Sequence, residues 1–111
     1  MVHLPHVDRA IVDIRKLEQY CLNPEHLRGR HKARVFRQAL GIRRHDSAWL
    51  RDALQNSARE AEALMIAEDS FGTRWRADLD ISRHGRQCVV RTIWLAPRGE
   101  EAPRLITCWV R

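Results

Sequence analysis

The sequence predicts an α+β fold, with N-terminal helices packed on a C-terminal antiparallel sheet of three to four strands. Three observations predict it. Apolar residues recur at helical spacing, with cap signals, across the first half of the chain. After Gly72 the period changes to two. Turns bearing Gly and Pro then divide the remainder into strand-sized pieces. The chain has 111 residues, 44% of them hydrophobic, with four Trp and neither a linker nor a repeat. One domain is therefore expected over 1–111, mainly helical over 1–67 and an antiparallel meander over 71–111.

The first helix is expected over residues 11–20, with Ile11, Ile14 and Leu17 on one face and Cys21-Leu22-Asn23 ending it. Asn23 reads as an N-cap followed by Pro24 at the first helical position, and Gly29 interrupts. The main helix spans Arg30–Leu40, closed by Gly41 in the left-handed conformation. Ala33, Phe36, Ala39 and Leu40 share one face of it, while Arg30, Arg34 and Arg37 share another. One helix can thus dock on a core and show a cationic stripe. Ser47 or Asp46 caps a third helix over residues 48–61, with Leu50, Ala53, Leu54 and Ala61 inward. Residues 63–67 either extend that helix or form a connector.

Trp75, Ala77, Leu79 and Ile81 alternate with Arg74, Arg76, Asp78 and Asp80 in a half-buried strand. Residues 82–86 form a turn, 87–95 a second strand, 96–103 a loop with Pro at both shoulders, and Arg104–Val110 a third strand. The hairpins suggest pairing Ile81 with Cys88, Asp78 with Arg91, Trp75 with Trp94, Leu95 with Arg104, and Thr92 with Thr107. Trp75, Leu79, Val90, Trp94, Leu105 and Trp109 then face the helices, with Thr92 and Thr107 between them. Arg74, Arg76, Asp78, Arg91, Ile93, Ile106 and Cys108 fall on the opposite, cationic face.

Charge is distributed unevenly. The formal net charge is +6, from 18 Arg and 2 Lys against 14 acidic residues. Residues 26–45 contain no acid but hold Arg28, Arg30, Lys32, Arg34, Arg37, Arg43 and Arg44, together with His26, His31 and His45. Such a stretch is the electrostatic footprint of a surface that meets phosphate, or else a solvated helix in an Arg-rich chain. Three Cys without CxxC spacing point to reduced thiols in a cytosol. The N-terminus lacks the apolar core of a signal peptide and no apolar run reaches ~18 residues, so a cytoplasmic protein without membrane attachment is expected.

His26, His31 and Lys32 bracket the start of the basic helix, where free N–H groups and the helix dipole suit a phosphate. A His there can act as general acid or base, or simply cap the helix. Arg74, Arg76 and Arg91 either clamp a phosphate or pair with Asp78 and Asp80. Thr92 and Thr107 are either a buried hydroxyl pair or donors to a phosphate oxygen. The His spacings form no paired ligand clusters, so neither a metal nor a cofactor is expected.

The string DIRKLEQYCLNPEHLRGRHKARVFRQALG, followed by SFGTRWRADLD, VVRTIWL and PRLITCWV, closely resembles a bacterial family of unknown function, number 6883. The resemblance spans nearly the whole chain, and the NPEH…GRHKARVF…ALG element carries it. Leu27 departs from the family, where Pro is common. Members resemble small stand-alone proteins and the C-terminal tips of polymorphic toxins, and their helices-then-sheet order is similar to the metal-independent ribonuclease fold of barnase, EndoU and RelE-type toxins. The resemblance implies a toxin-like endoribonuclease that leaves a 2′,3′-cyclic phosphate, beside a small antitoxin or immunity protein. Carried onto this sequence, it implies a catalytic set of His31, Lys32, Arg91, Thr92 and Thr107. His26, Arg28, Arg30, Arg34 and Arg37 would bind the RNA backbone. The other reading is a non-catalytic RNA- or protein-binding module using the basic helix 28–40.

Overall fold

A computed structural model describes residues 2–99 and 101–111. Helices precede a four-stranded antiparallel sheet, an α+β arrangement. A 3-10 turn at Val7–Arg9 leads to helix α1, Ile14–Lys16, which continues as a π-helical turn over Leu17–Cys21. Helix α2 spans Arg30–Leu40, a 3-10 turn Arg44–Asp46, and helix α3 Ser47–Ala58. The strands are β1 Ala63–Asp69, β2 Gly72–Arg83, β3 Arg86–Pro97 and β4 Arg104–Val110, ordered β1-β2-β3-β4.

α2 has the bounds read from the sequence, and Gly41 ends it at φ 67°. Ala33, Phe36 and Leu40 are buried while Arg30, Arg34 and Arg37 are exposed. The apolar stripe thus seats the helix on β3 and β4, and the cationic stripe stays in solvent. α3 packs on β2 through Leu50, Leu54 and Ala58. The core between helices and sheet is built from these residues with Leu17, Cys21, Leu22, Ile42, Leu79, Val90, Trp94 and Leu105.

Four local expectations are corrected. The first helix begins at Ile14 rather than residue 11, because the Ile11 backbone pairs instead with β4: its N–H donates to the Pro103 carbonyl (2.8 Å) and its carbonyl accepts from Leu105 (2.9 Å). The edge of the sheet outcompetes one turn of helix. Asn23 does not open a helix. Its Oδ1 accepts from the Glu25 N–H (3.0 Å) in an Asx turn, and residues 22–29 stay non-helical. α3 starts at Ser47, whose hydroxyl donates to the Arg44 carbonyl (2.6 Å), and Asp46 binds the Arg43 N–H (2.9 Å) rather than capping α3. Residues 63–67, undecided between helix and connector, belong to strand β1.

The β2–β3 register is as expected, with Ile81 opposite Cys88, Asp78 opposite Arg91 and Trp75 opposite Trp94. His84 and Gly85, both at positive φ, make the tight turn between the strands. Leu95 pairs with Arg104 in the β3–β4 ladder, but Thr92 faces Cys108, not Thr107. A bulge at Ile93/Trp94 places one extra β4 residue, Ile106, in the ladder. With period two, that single residue exchanges the faces. Cys108 therefore joins the core instead of the outer face, and Trp109 is half-buried.

Candidate nucleic-acid interface

The segment before α2 is fixed by close packing. A side chain at Gly29 would meet the Tyr20 carbonyl oxygen at 2.2 Å, so only Gly lets the turn lie against α1's continuation. His26 completes the turn, its Nδ1 accepting from the backbone N–H groups of Arg28 (3.0 Å) and Gly29 (2.9 Å), its ring edge-on to Tyr20. With Nδ1 accepting, the ring hydrogen belongs on Nε2. His26 thus fixes the turn before α2 rather than capping the helix, whose N-cap position, Gly29, has no side-chain cap bond.

Between this turn, α2 and the loop after Gly41 lies a groove of about 620 Å³. Arg30, His31, Arg34, Arg37, Arg43, Arg44 and His45 line it, and Leu22, Pro24, Ala33 and Ile42 contribute apolar surface. Glu25 is the one carboxylate among the lining residues. Arg34 Nη2 approaches His31 Nδ1 at 3.4 Å, and Arg44 Nε donates to the Glu18 carbonyl (2.7 Å), holding its guanidinium at the rim. The loop itself is pinned from the sheet. Arg83 donates to the Gly41 carbonyl (3.3 Å) and to Asp46 Oδ1 (3.2 Å), and its guanidinium lies over Trp49. A concave surface lined by five arginines and two histidines suits a polyanion: Arg forks match phosphate oxygens, and imidazole can move a proton near neutral pH.

The expected catalytic residues do not meet in one cleft. His31 lines the groove. Lys32, one position on, turns to the sheet: its Nζ donates to Tyr20 Oη and Thr107 Oγ1 (2.9 Å each) and sits over the Tyr20 and Trp109 rings. Arg91 is on the sheet face turned from the core, opposite Trp109 in the ladder and on the same face as Thr107, and is bidentate to Asp78 (2.9 and 3.1 Å), with Arg111 at 3.4 Å from the same carboxylate. The Arg91 hydrogen bond keeps the Asp78 carboxyl below its usual range, and Asp78 in turn raises Arg91. Thr92 is fully buried; its hydroxyl donates to the Ala77 carbonyl (2.6 Å) and accepts from the Trp94 indole (2.7 Å). A hydroxyl used in both directions inside the core cannot orient a phosphate, which corrects that expectation.

Of the residues expected to bind backbone, Arg30, Arg34 and Arg37 line the groove; Arg28 is exposed and, with His26, does not line it. Arg43, Arg44 and His45 do, although only the extent of the acid-free stretch signalled them. Beneath Lys32, the buried thiols of Cys21 and Cys108 adjoin. The Cys108 hydrogen bond, with Lys32 and Thr107 nearby, pulls the Cys21 thiol down to about 6, and Cys21 together with burial pushes Cys108 up. Among the described residues no three His, Cys, Asp or Glu side chains are placed to hold a metal ion, and no helix is long and apolar enough to cross a membrane.

The family described as a domain of unknown function, DUF6883, matches residues 3–111. No curated protein matches the chain. Among solved structures, a chain of a contact-dependent growth inhibition toxin–immunity protein complex from Klebsiella pneumoniae 342 has a similar fold. Its TM-score is 0.72 at 15% identity, over 91% of this chain and 99% of that one.

Proposed function

This chain belongs to the DUF6883 family of domains of unknown function, and on that premise we propose that it is a toxin-like, metal-independent endoribonuclease. The observation that carries the proposal is the groove: five arginines and two histidines converge on a concave surface with a single carboxylate. The guanidiniums hold the phosphates of a single strand. His31 takes the proton from the ribose 2′-OH as that oxygen attacks phosphorus; the P–O5′ bond breaks, and the leaving oxygen receives a proton from His45. The products are a 2′,3′-cyclic phosphate and a 5′-OH end. Arg34, beside His31, faces the charge that grows on the phosphoryl oxygens. A neutralising partner protein is part of the reading, because the similar fold comes from a toxin–immunity complex.

Incubation of purified protein with total cellular RNA in EDTA tests the proposal. Wild type is expected to cleave and leave cyclic phosphate ends, with a loss of about 10²-fold or more in His31→Ala. Absence of cleavage by wild type on any RNA, with no growth defect on expression, sinks it. One observation favours a second reading, a non-catalytic RNA-binding module: Lys32, Arg91, Thr92 and Thr107 are all engaged away from the groove. That reading predicts salt-sensitive RNA binding without products.

A further inference from the structure

The sheet has two edges, and the fold treats them differently. On β4, the Ile11 backbone pairs with residues 103–105 and Lys16 Nζ donates to the Ile106 carbonyl (3.3 Å). On β1, among the described residues, backbone cover is confined to the start: the Ala63 N–H donates to the Val2 carbonyl (2.8 Å). Beyond it, Leu64 is 55% exposed, Met65 50% and Ile66 46%, and at the hairpin tip Phe71 is 72% exposed. With Val2, five of the eight exposed large hydrophobic residues described gather here. A bulge between Met65 and Ala67 takes Ile66 out of the β2 ladder. An uncovered edge strand rich in apolar side chains is a template for pairing with another chain.

The charges define the partner. Residues 60–72 contain Glu60, Glu62, Glu68 and Asp69 and no Lys or Arg, the converse of the acid-free stretch. Arg74 binds Asp69 and Arg76 lies across the ladder from Leu64 on β2, whereas the charges of the edge strand and of the residues leading into it are the acids Glu60, Glu62, Glu68 and Asp69. Antiparallel pairing of two copies of β1 would set Glu60 and Glu62 beside Glu68 of the other copy. Parallel pairing would bring like acids together directly. Both oppose self-association. We propose that the outer edge of β1 docks an extended segment of a different protein, apolar at its centre and flanked by Lys or Arg. The surface is distinct from the groove, because α2 packs on β3 and β4 at the opposite end of the sheet. It does not depend on the RNA reading.

Two synthetic peptides serve as probes, both with an alternating Val-Thr centre, one flanked by paired Lys and the other by paired Glu. The Lys-flanked peptide is expected to bind the full chain at least tenfold more tightly. It is also expected to slow amide exchange at Leu64–Ile66 in hydrogen-exchange NMR. Ile66→Lys, an exposed position, is expected to abolish binding while leaving the melting temperature and any RNA affinity unchanged. Failure of both peptides to bind overturns the proposal, as does equal binding of the two. A concentration-dependent dimer in light scattering that Ile66→Lys abolishes overturns it in favour of self-pairing.

Discussion

Replacing Arg34 and Arg37 together by Ala will flatten the salt dependence of RNA binding by a calculable amount. Five arginines line the groove: Arg30, Arg34, Arg37, Arg43 and Arg44. With one phosphate each, at about 0.7 per contact on a single strand, log K against log salt has a slope near −3.5. Raising salt from about 50 to about 200 mM then weakens wild type about a hundredfold, whereas three remaining contacts give a slope near −2.1 and about a twentyfold loss. Both side chains are exposed on α2 and have no core role, so the variant should melt with wild type. The assay is fluorescence anisotropy of a labelled 2′-O-methyl RNA, which cannot cyclise and so reports binding alone. A double variant with the wild-type slope, or a wild-type slope flatter than about −1, refutes phosphate binding in this groove.

Three further outcomes follow from the same contacts. Thr92→Val leaves the Trp94 indole N–H unpaired in the core, which costs about 1–3 kcal/mol. Calorimetry should show a fall of roughly 4–12 °C with RNA affinity retained; lost cleavage at an unchanged melting temperature would return Thr92 to the chemistry. His26→Ala frees the N–H groups of Arg28 and Gly29 and should cost about 1 kcal/mol, with urea melts as the readout. Asp78→Asn tests linkage. Arg91 lowers the Asp78 pKa in the fold, so the pair stabilises above the unfolded value near about pH 4 and fades as pH falls through the lower folded value. The variant should be less stable than wild type at neutral pH, by about 1 kcal/mol for this partly buried pair, and equal to it once Asp78 is protonated. A difference that persists in strong acid contradicts the ion-pair account.

Much of the fold was legible because its signals are local. α2 carries its own stop at Gly41, and its apolar and cationic stripes follow from helical period alone. The β2–β3 register follows from a short turn that forces the pairing of Ile81 with Cys88. The edges of elements were less legible. Ile11 reads as helical by spacing yet finds its hydrogen bonds on β4, distant in sequence. Residues 63–67 have neither strict period, and their strand exists because β2 supplies the ladder.

The candidate site divides the same way. Sequence alone determined that the positive charge is concentrated in residues 26–45 and that α2 displays it, since charge and helical phase are properties of the chain. It could not determine which charges share a cavity. His31 and Lys32 are adjacent, but about 100° of helical rotation sends one to the groove and the other to Thr107. Arg91 and Thr92 likewise point to opposite faces of β3, one to Asp78 and one into the core. Only packing brought Arg43, Arg44 and His45 against Arg30, His31 and Arg34, because the loop after Gly41 is held by Arg83 from a hairpin some forty residues on. Convergence of that kind is a distance between elements, and no local pattern encodes it.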